Sequence, residues 1–231
     1  KAKKNWNSVG DHAPAYLINL YLATGDENYG RFLEDTFDTI CDHFPDYGYS
    51  PFMNEKFFDD WSHDLKWGIH QARCVVGHNL KVAWNLTRMH SLPPKESYKT
   101  FAHQIADAIP AAGCDNQRGG WYDMMERTLK DGEENYRRVW HDRKAWWQQE
   151  QGILAYYIMA GVYNDKPEYL NYAREGSAFY NGWFLDYEEG AIYFNVLANG
   201  QPYSLGSERG KGSHSMAGYH SFELCFLSAV Y

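Results

Sequence analysis

Between Ala72 and His90 the apolar residues Val75, Val76, Leu80, Val82, Ala83, Leu86 and Met89 recur mostly at steps of three and four, the period of a helix that buries one side. The same rhythm returns along the chain. A first helix opens across Asn5 to His12 and carries Pro14 near its first turn, where a missing N–H costs little. Tyr16, Leu17, Leu20 and Tyr21 form its inward side, and Thr24-Gly25-Asp26 stops it. A second runs from about Glu27 to Phe44, with Phe32, Leu33, Phe37, Ile40, Cys41 and Phe44 on one face and Pro45 after it. Ser91-Leu92-Pro93-Pro94 closes the helix over residues 72–90, and an amphipathic partner from about Lys95 to Ala112 turns Tyr98, Phe101, Ile105 and Ile109 inward. Apolar runs from Gln151 to Val162, from about Pro167 to Phe184 and from Phe222 to Tyr231 predict three more.

The stretches between these helices alternate in length. Short turns at Thr24-Gly25-Asp26 and Asn164-Asp165-Lys166 make antiparallel helical hairpins. Residues 46–71, rich in aromatics, Gly and Asp and without helical period, read as a long loop with short strands. Gly119 to Glu126 reads as a short strand, with Asp131-Gly132 as a turn before a returning strand, and Ala191 to Leu197 as a strand before the Asn199-Gly200 turn. Helix, short turn, helix, long loop, three times over and closed by a single helix, predicts an all-α toroid, with the inner helices starting at one rim and the long loops built around it. A plain bundle explains the hairpins equally well but not the loops.

Three predicted helix starts carry chemistry. Gly77-His78 is one, Asp142 to Glu150 (Asp-Arg-Lys-Ala-Trp-Trp-Gln-Gln-Glu) the second, and Lys211 to His220 the third. A lone His on an apolar helix is more often a packing residue than a catalyst, so His78 gains meaning from His220. Two imidazoles facing each other across one rim suit removal of a proton from carbon and its return, because each titrates near neutral pH. A carbon-bound proton is acidic enough only beside a carbonyl, which points to an aldehyde or ketone such as an open-chain sugar. Trp121, Trp146, Trp147, Trp183, Trp61 and Trp67 add flat surfaces on which sugar rings stack, although aromatics near helix starts more often belong to the core.

Bulk properties narrow the partners. The 231 residues are 44% hydrophobic and 17% aromatic, enough for a large core, and the net charge of −8 leaves no concentrated basic run beyond Lys1 to Lys4. Nucleic acid and anionic membranes are therefore excluded as expected partners. Cys41, Cys74, Cys114 and Cys225 are scattered, with no Cys-x-x-Cys pair, and read as reduced, mostly buried thiols. With no signal-peptide pattern and no bilayer-crossing run, a cytoplasmic location is expected. Asn85-Leu86-Thr87 matches a glycosylation sequon but lies inside a predicted core helix. No His-x-x-x-His metal pair, Gly-x-Ser-x-Gly elbow or Gly-rich phosphate loop occurs. Asp11, Asp123, Asp142 and Glu150 are carboxylates a glycan hydrolase or lyase would need, and no spacing singles out two of them.

Trp6-Asn7, Gly77-His78-Asn79-Leu80-Lys81-Val82-Ala83-Trp84, Gly119-Gly120-Trp121, Lys144-Ala145-Trp146-Trp147-Gln148-Gln149 and Tyr219-His220 with Cys225, taken in order, resemble the N-acylglucosamine 2-epimerase family, in its cellobiose 2-epimerase and mannose isomerase branch. The resemblance implies an (α/α)-barrel of six-hairpin type. It further implies cofactor-independent 2-epimerisation or aldose–ketose isomerisation of a free mono- or disaccharide through an enediolate. On that pattern His220 is the base and His78 the opposing acid, exchanging with direction. The expected substrate contacts are Trp121, Trp146, Trp147, Gln149, Glu150, Asp11, His12 and Lys81; no metal is implied, and a monomer or homodimer is expected. The family is longer, so a single barrel domain over residues 1–231 lacking N-terminal hairpins is expected.

Three positions depart from the pattern. Lys81 and Gln151 stand where the family commonly carries Glu, and Asp11, with His12 beside it, stands where many members carry His. These departures keep a further reading open, a sugar-binding or regulatory protein that retained the fold and lost the chemistry.

Overall fold

A computed structural model describes residues 3–7, 9–10, 12–67, 72–213 and 215–231. Among them are the helices α1 (His12–Thr24), α2 (Glu27–His43), α3 (Val76–His90), α4 (Glu96–Ala112), α5 (Trp146–Tyr163), α6 (Glu168–Trp183) and α7 (Tyr219–Val230). None is long and apolar enough to cross a membrane. Burial sorts them into two layers. Every residue of α3 from Val76 to Met89 is buried, and α5 is buried on nearly all sides through Met159. Such helices must be surrounded, and they form the inner layer with α7 packed beside α5. In α2, α4 and α6 only one stripe is buried, so they form the outer layer: α4 lies against α3 and α6 against α5, while α2 covers α1. This is the hairpin arrangement of part of an (α/α)-barrel.

Three short antiparallel strand pairs hold the long loops at one rim. β1 (Lys3–Asn5) pairs with β2 (Lys56–Phe58), β3 (Arg73–Val75) with β4 (Met124–Glu126), and β5 (Lys144–Ala145) with β6 (Asn195–Val196). β3 runs directly into α3 and β5 into α5, so each pair fixes a loop against the start of an inner helix.

Several expectations are corrected here. Residues 73–75 are strand, and the helix of residues 72–90 begins at Val76. The strand at Met124–Glu126 finds its partner in β3; the returning segment after Asp131-Gly132 contributes only the bridge of Met125 to Arg138. The third hairpin's first helix starts at Trp146, placing Gln148, Gln149 and Glu150 within its opening turns. Tyr16, Leu20 and Phe32, expected inside, are exposed, while Ile18 and Leu33 are buried. Apolar residues occupy more than one side of α1, and periodicity marks apolar stripes without saying which one meets a neighbour. All four cysteines are free thiols, but Cys74 alone is buried and Cys225 is exposed. Asn85 of the sequon is fully buried in α3.

Candidate active site

His12 opens α1, His78 lies in the first turn of α3, Trp146 and Trp147 open α5, and Tyr219 and His220 open α7. All six line one cavity of about 340 Å3, at the lower end of the range for small-ligand sites. The close approach of α5 to α3 needs Gly77: a Cβ there would lie 2.6 Å from Gln148 Cγ and 2.7 Å from Trp147 Cζ3. Trp147 thereby reaches both imidazoles, with ring centroids 5.5 Å from His78 and 5.3 Å from His220, stacked on the latter. His12 lies edge-on to both, 6.4 Å from His78 and 5.8 Å from His220.

His78 is oriented by Glu55, whose Oε2 lies 3.0 Å from Nδ1. Glu55 is itself held by its chain. The Trp6 N–H donates to the Glu55 carbonyl, the Met53 N–H donates to Asn79 Oδ1, and the buried Arg127 guanidinium clamps Asp46 and the carbonyls of Phe52 and Met53. The carboxylate missing at position 81 is thus supplied from another element. Sequence reasoning could not find it, since Glu55 sits in an aperiodic loop between Asn54 and Lys56.

His220 is backed by a different network. Its Nδ1 lies 3.0 Å from Gln151 Nε2, which also donates to Glu223 Oε2 at 3.2 Å. Gln151 Oε1 accepts the Trp84 indole N–H at 2.8 Å, and Lys81, fully buried, pairs with Glu223 at 3.1 Å. Lys81 therefore belongs to the support behind His220, not to the cavity wall.

The opposite wall is charged. Arg143 bonds Asp123 through Nε at 2.6 Å, lies 3.4 Å from Glu208 and stacks over Trp140 at 4.4 Å. Burial raises the Asp123 carboxyl above its ordinary range, against the pull of Arg143. Asp123 also accepts a bond from Gln148 Nε2, and Gln148 Oε1 takes the Gly77 N–H at 2.7 Å. Planar guanidinium and carboxylate groups beside aromatic rings are suited to fixing hydroxyl groups.

Of the remaining expected contacts, Trp146 and Trp147 line the cavity and Asp11 lies outside the described residues. Trp121, Gln149 and Glu150 are not among the residues that line this cavity. Trp121 is 1% exposed and lies parallel to Tyr156 in the core, with ring centroids 5.9 Å apart. Gln149 is spent on backbone, accepting the Trp121 N–H and donating to the Trp121 and Ala145 carbonyls. Glu150 Oε1 accepts hydroxyl bonds from Tyr180 and Ser221, both at 2.6 Å, and its buried Oε2 has no hydrogen-bond partner among the described residues. Helical spacing turns consecutive residues of this run to different neighbours, which the motif alone does not reveal.

Burial pushes the Glu150 carboxyl from an ordinary value near 4.5 up to about 7. Between those values the folded chain holds a proton that the unfolded chain has released. The associated stability is full below pH 4.5, declines as pH rises, and is lost above about 7. The difference is worth roughly 3 kcal/mol. Glu150→Gln should leave the Tm little changed near pH ~4.5 and raise it above that of the unaltered protein near pH ~8, the gap growing through the interval. Thermal unfolding across this range measures it, and a constant gap would mean that Glu150 stays ionised in the fold.

A model of the N-acylglucosamine 2-epimerase (GlcNAc 2-epimerase) family matches residues 5–220. The chain belongs to this family. Its match spans every helix start that lines the cavity. A cellobiose 2-epimerase from Bacillus thermoamylovorans B4167 superposes with a TM-score of 0.75 at 20% identity, over 95% of this chain and 51% of that one. A D-mannose isomerase gives a TM-score of 0.81 at 18% identity, over 100% of this chain and 57% of its own. The cellobiose 2-epimerase of Spirochaeta thermophila DSM 6192 gives 0.74 at 19%, over 94% and 50%. The chain thus spans about half the length of the solved structures it matches, and no curated protein matches it in sequence.

Proposed function

We propose that the protein is a carbohydrate epimerase or isomerase acting on the open-chain form of a free mono- or disaccharide, moving the proton at C2 through an enediolate with His78 and His220. The observation that carries this reading is the convergence of two imidazoles from separate inner helices on one cavity, with Trp147 against both. Membership of a sugar 2-epimerase family supports the substrate class. Trp146 and Trp147 offer stacking faces, and Arg143, Asp123 and Glu208 offer hydroxyl contacts on the other side.

Incubating the intact protein in deuterated water with glucose, mannose, cellobiose and N-acetylglucosamine, and following the sugars by NMR, tests this. Deuterium should appear at C2 of a substrate or at the equivalent carbon of its product. Saturable binding of a sugar with no exchange at any carbon would instead identify a sugar-binding protein that has lost turnover.

A further inference from the structure

Successive residues of β4 turn to opposite faces: Met124 lines the active-site cavity, and Met125 lines a second cavity of about 690 Å3. Although the chain carries a net charge of −8, this second cavity is lined by Arg118, Arg137 and Arg138. Asp115 is the one carboxylate among the described residues of that lining, and it is spent on Lys144 Nζ at 2.8 Å. Arg137 has Glu133 beside its Nε at 3.3 Å, while Arg118 and Arg138 have no ion-pair partner among the described residues. The backbone on both flanks is fixed. Gln117 and Arg118 N–H groups donate to Asp115 Oδ1 at 3.1 and 3.2 Å, and the Gly119 N–H donates to the Asp115 carbonyl, which closes the loop carrying Arg118. Opposite, Met125 bridges to Arg138, with the Glu126 N–H donating to the Arg137 carbonyl and the Val139 N–H to the Met124 carbonyl. Arg138 Nη1 donates to the Tyr122 hydroxyl at 3.2 Å, and its guanidinium lies 5.0 Å from the centroid of that ring.

We propose that this second cavity binds a phosphorylated sugar, held at its phosphate by Arg118, Arg137 and Arg138. Guanidinium groups meet phosphate oxygens in paired, charge-assisted hydrogen bonds, and a phosphate dianion draws on several cations where a carboxylate draws on one. The volume is that of a small-ligand site and exceeds what a bare phosphate fills. Beyond the guanidinium groups stand the side-chain amides of Asn116, Gln117 and Asn135 and the ring of Tyr136. Amides bond hydroxyl groups from either side, and an aromatic face packs on the C–H groups of a sugar ring. The ligand class differs from the neutral sugar of the active-site cavity, whose Arg143 is already bound to Asp123 at 2.6 Å and lies 3.4 Å from Glu208. The inference goes beyond the enediolate reading and does not depend on it.

Titration calorimetry of the intact protein with glucose 6-phosphate, inorganic phosphate and glucose tests this, beginning at low ionic strength, where exposed charges are least screened. Glucose 6-phosphate should bind several-fold more tightly than phosphate, should not be displaced by glucose, and should weaken as salt is added. Arg118→Gln and Arg138→Gln should each lower its affinity by about tenfold, and Arg118→Lys, which keeps the charge, by less. Both side chains are exposed, so these variants should unfold at the temperature of the unaltered protein. Arg143→Gln should leave the binding unchanged. Binding lost in Arg143→Gln and kept in Arg118→Gln and Arg138→Gln would place the anion in the active-site cavity and overturn the proposal. So would the absence of binding by either phosphate species at millimolar concentration. Equal affinities for glucose 6-phosphate and inorganic phosphate would overturn the assignment to a sugar phosphate. Because binding is read without turnover, this result and deuterium exchange into the neutral sugars succeed or fail separately.

Discussion

His78→Ala should lower kcat by about 10²- to 10⁴-fold, the range for loss of a positioned general acid or base. His220→Ala should cost about 10²- to 10⁴-fold for the same reason. Because His78 and His220 are 7% and 5% exposed and sit at helix starts, truncation removes contacts at the cavity wall more than in the core, and the Tm should move by only a few degrees. Steady-state kinetics with thermal unfolding on the same samples separates the two effects. Full activity in both variants would sink the acid–base assignment. Different groups stand behind the two rings: Glu55 Oε2 faces Nδ1 of His78 and Gln151 Nε2 faces Nδ1 of His220.

Trp121→Ala should destabilise the protein by about 4 kcal/mol, as large-to-small changes of a buried Trp do. For a chain of this size that lowers the Tm by roughly 10 °C. The indole is wedged between α5 and α6. A Cβ at Gly152 would come within 2.6 Å of Trp121 Cε3, and one at Gly176 within 2.4 Å of Cη2. Nothing else can fill that volume without moving the helices, and the backbone of Trp121 is pinned on both sides by Gln149. A variant that folds with an unchanged Tm and instead raises KM would return Trp121 to the role of a sugar platform. Calorimetry alongside a KM measurement distinguishes the two.

The seven helices were legible because their apolar positions repeat at helical spacing and their ends carry Pro and Gly. Phe37, Ile40, Tyr98, Ile105 and Ile109 are buried as that spacing predicts. His78, His220, Trp146 and Trp147 were legible as a group because three helix starts share one composition, and an architecture of hairpins brings inner helix starts to the same rim. The inward and outward sides of α1 were not legible, since Tyr16 and Leu20 are as apolar as Ile18 and only packing distinguishes them.

Hairpin order, family and His78 with His220 as candidate site residues can be read along the chain, because all of them depend on residue type and spacing over short distances. The tertiary structure alone decided what each polar group touches. Lys81 and Gln151 read as losses at the site, yet they form the support of His220 through Glu223 and Trp84, and the carboxylate for His78 arrives from Glu55, 23 residues upstream. Hydrogen bonds are made at about 3 Å between groups of any separation along the chain, so no local pattern encodes them.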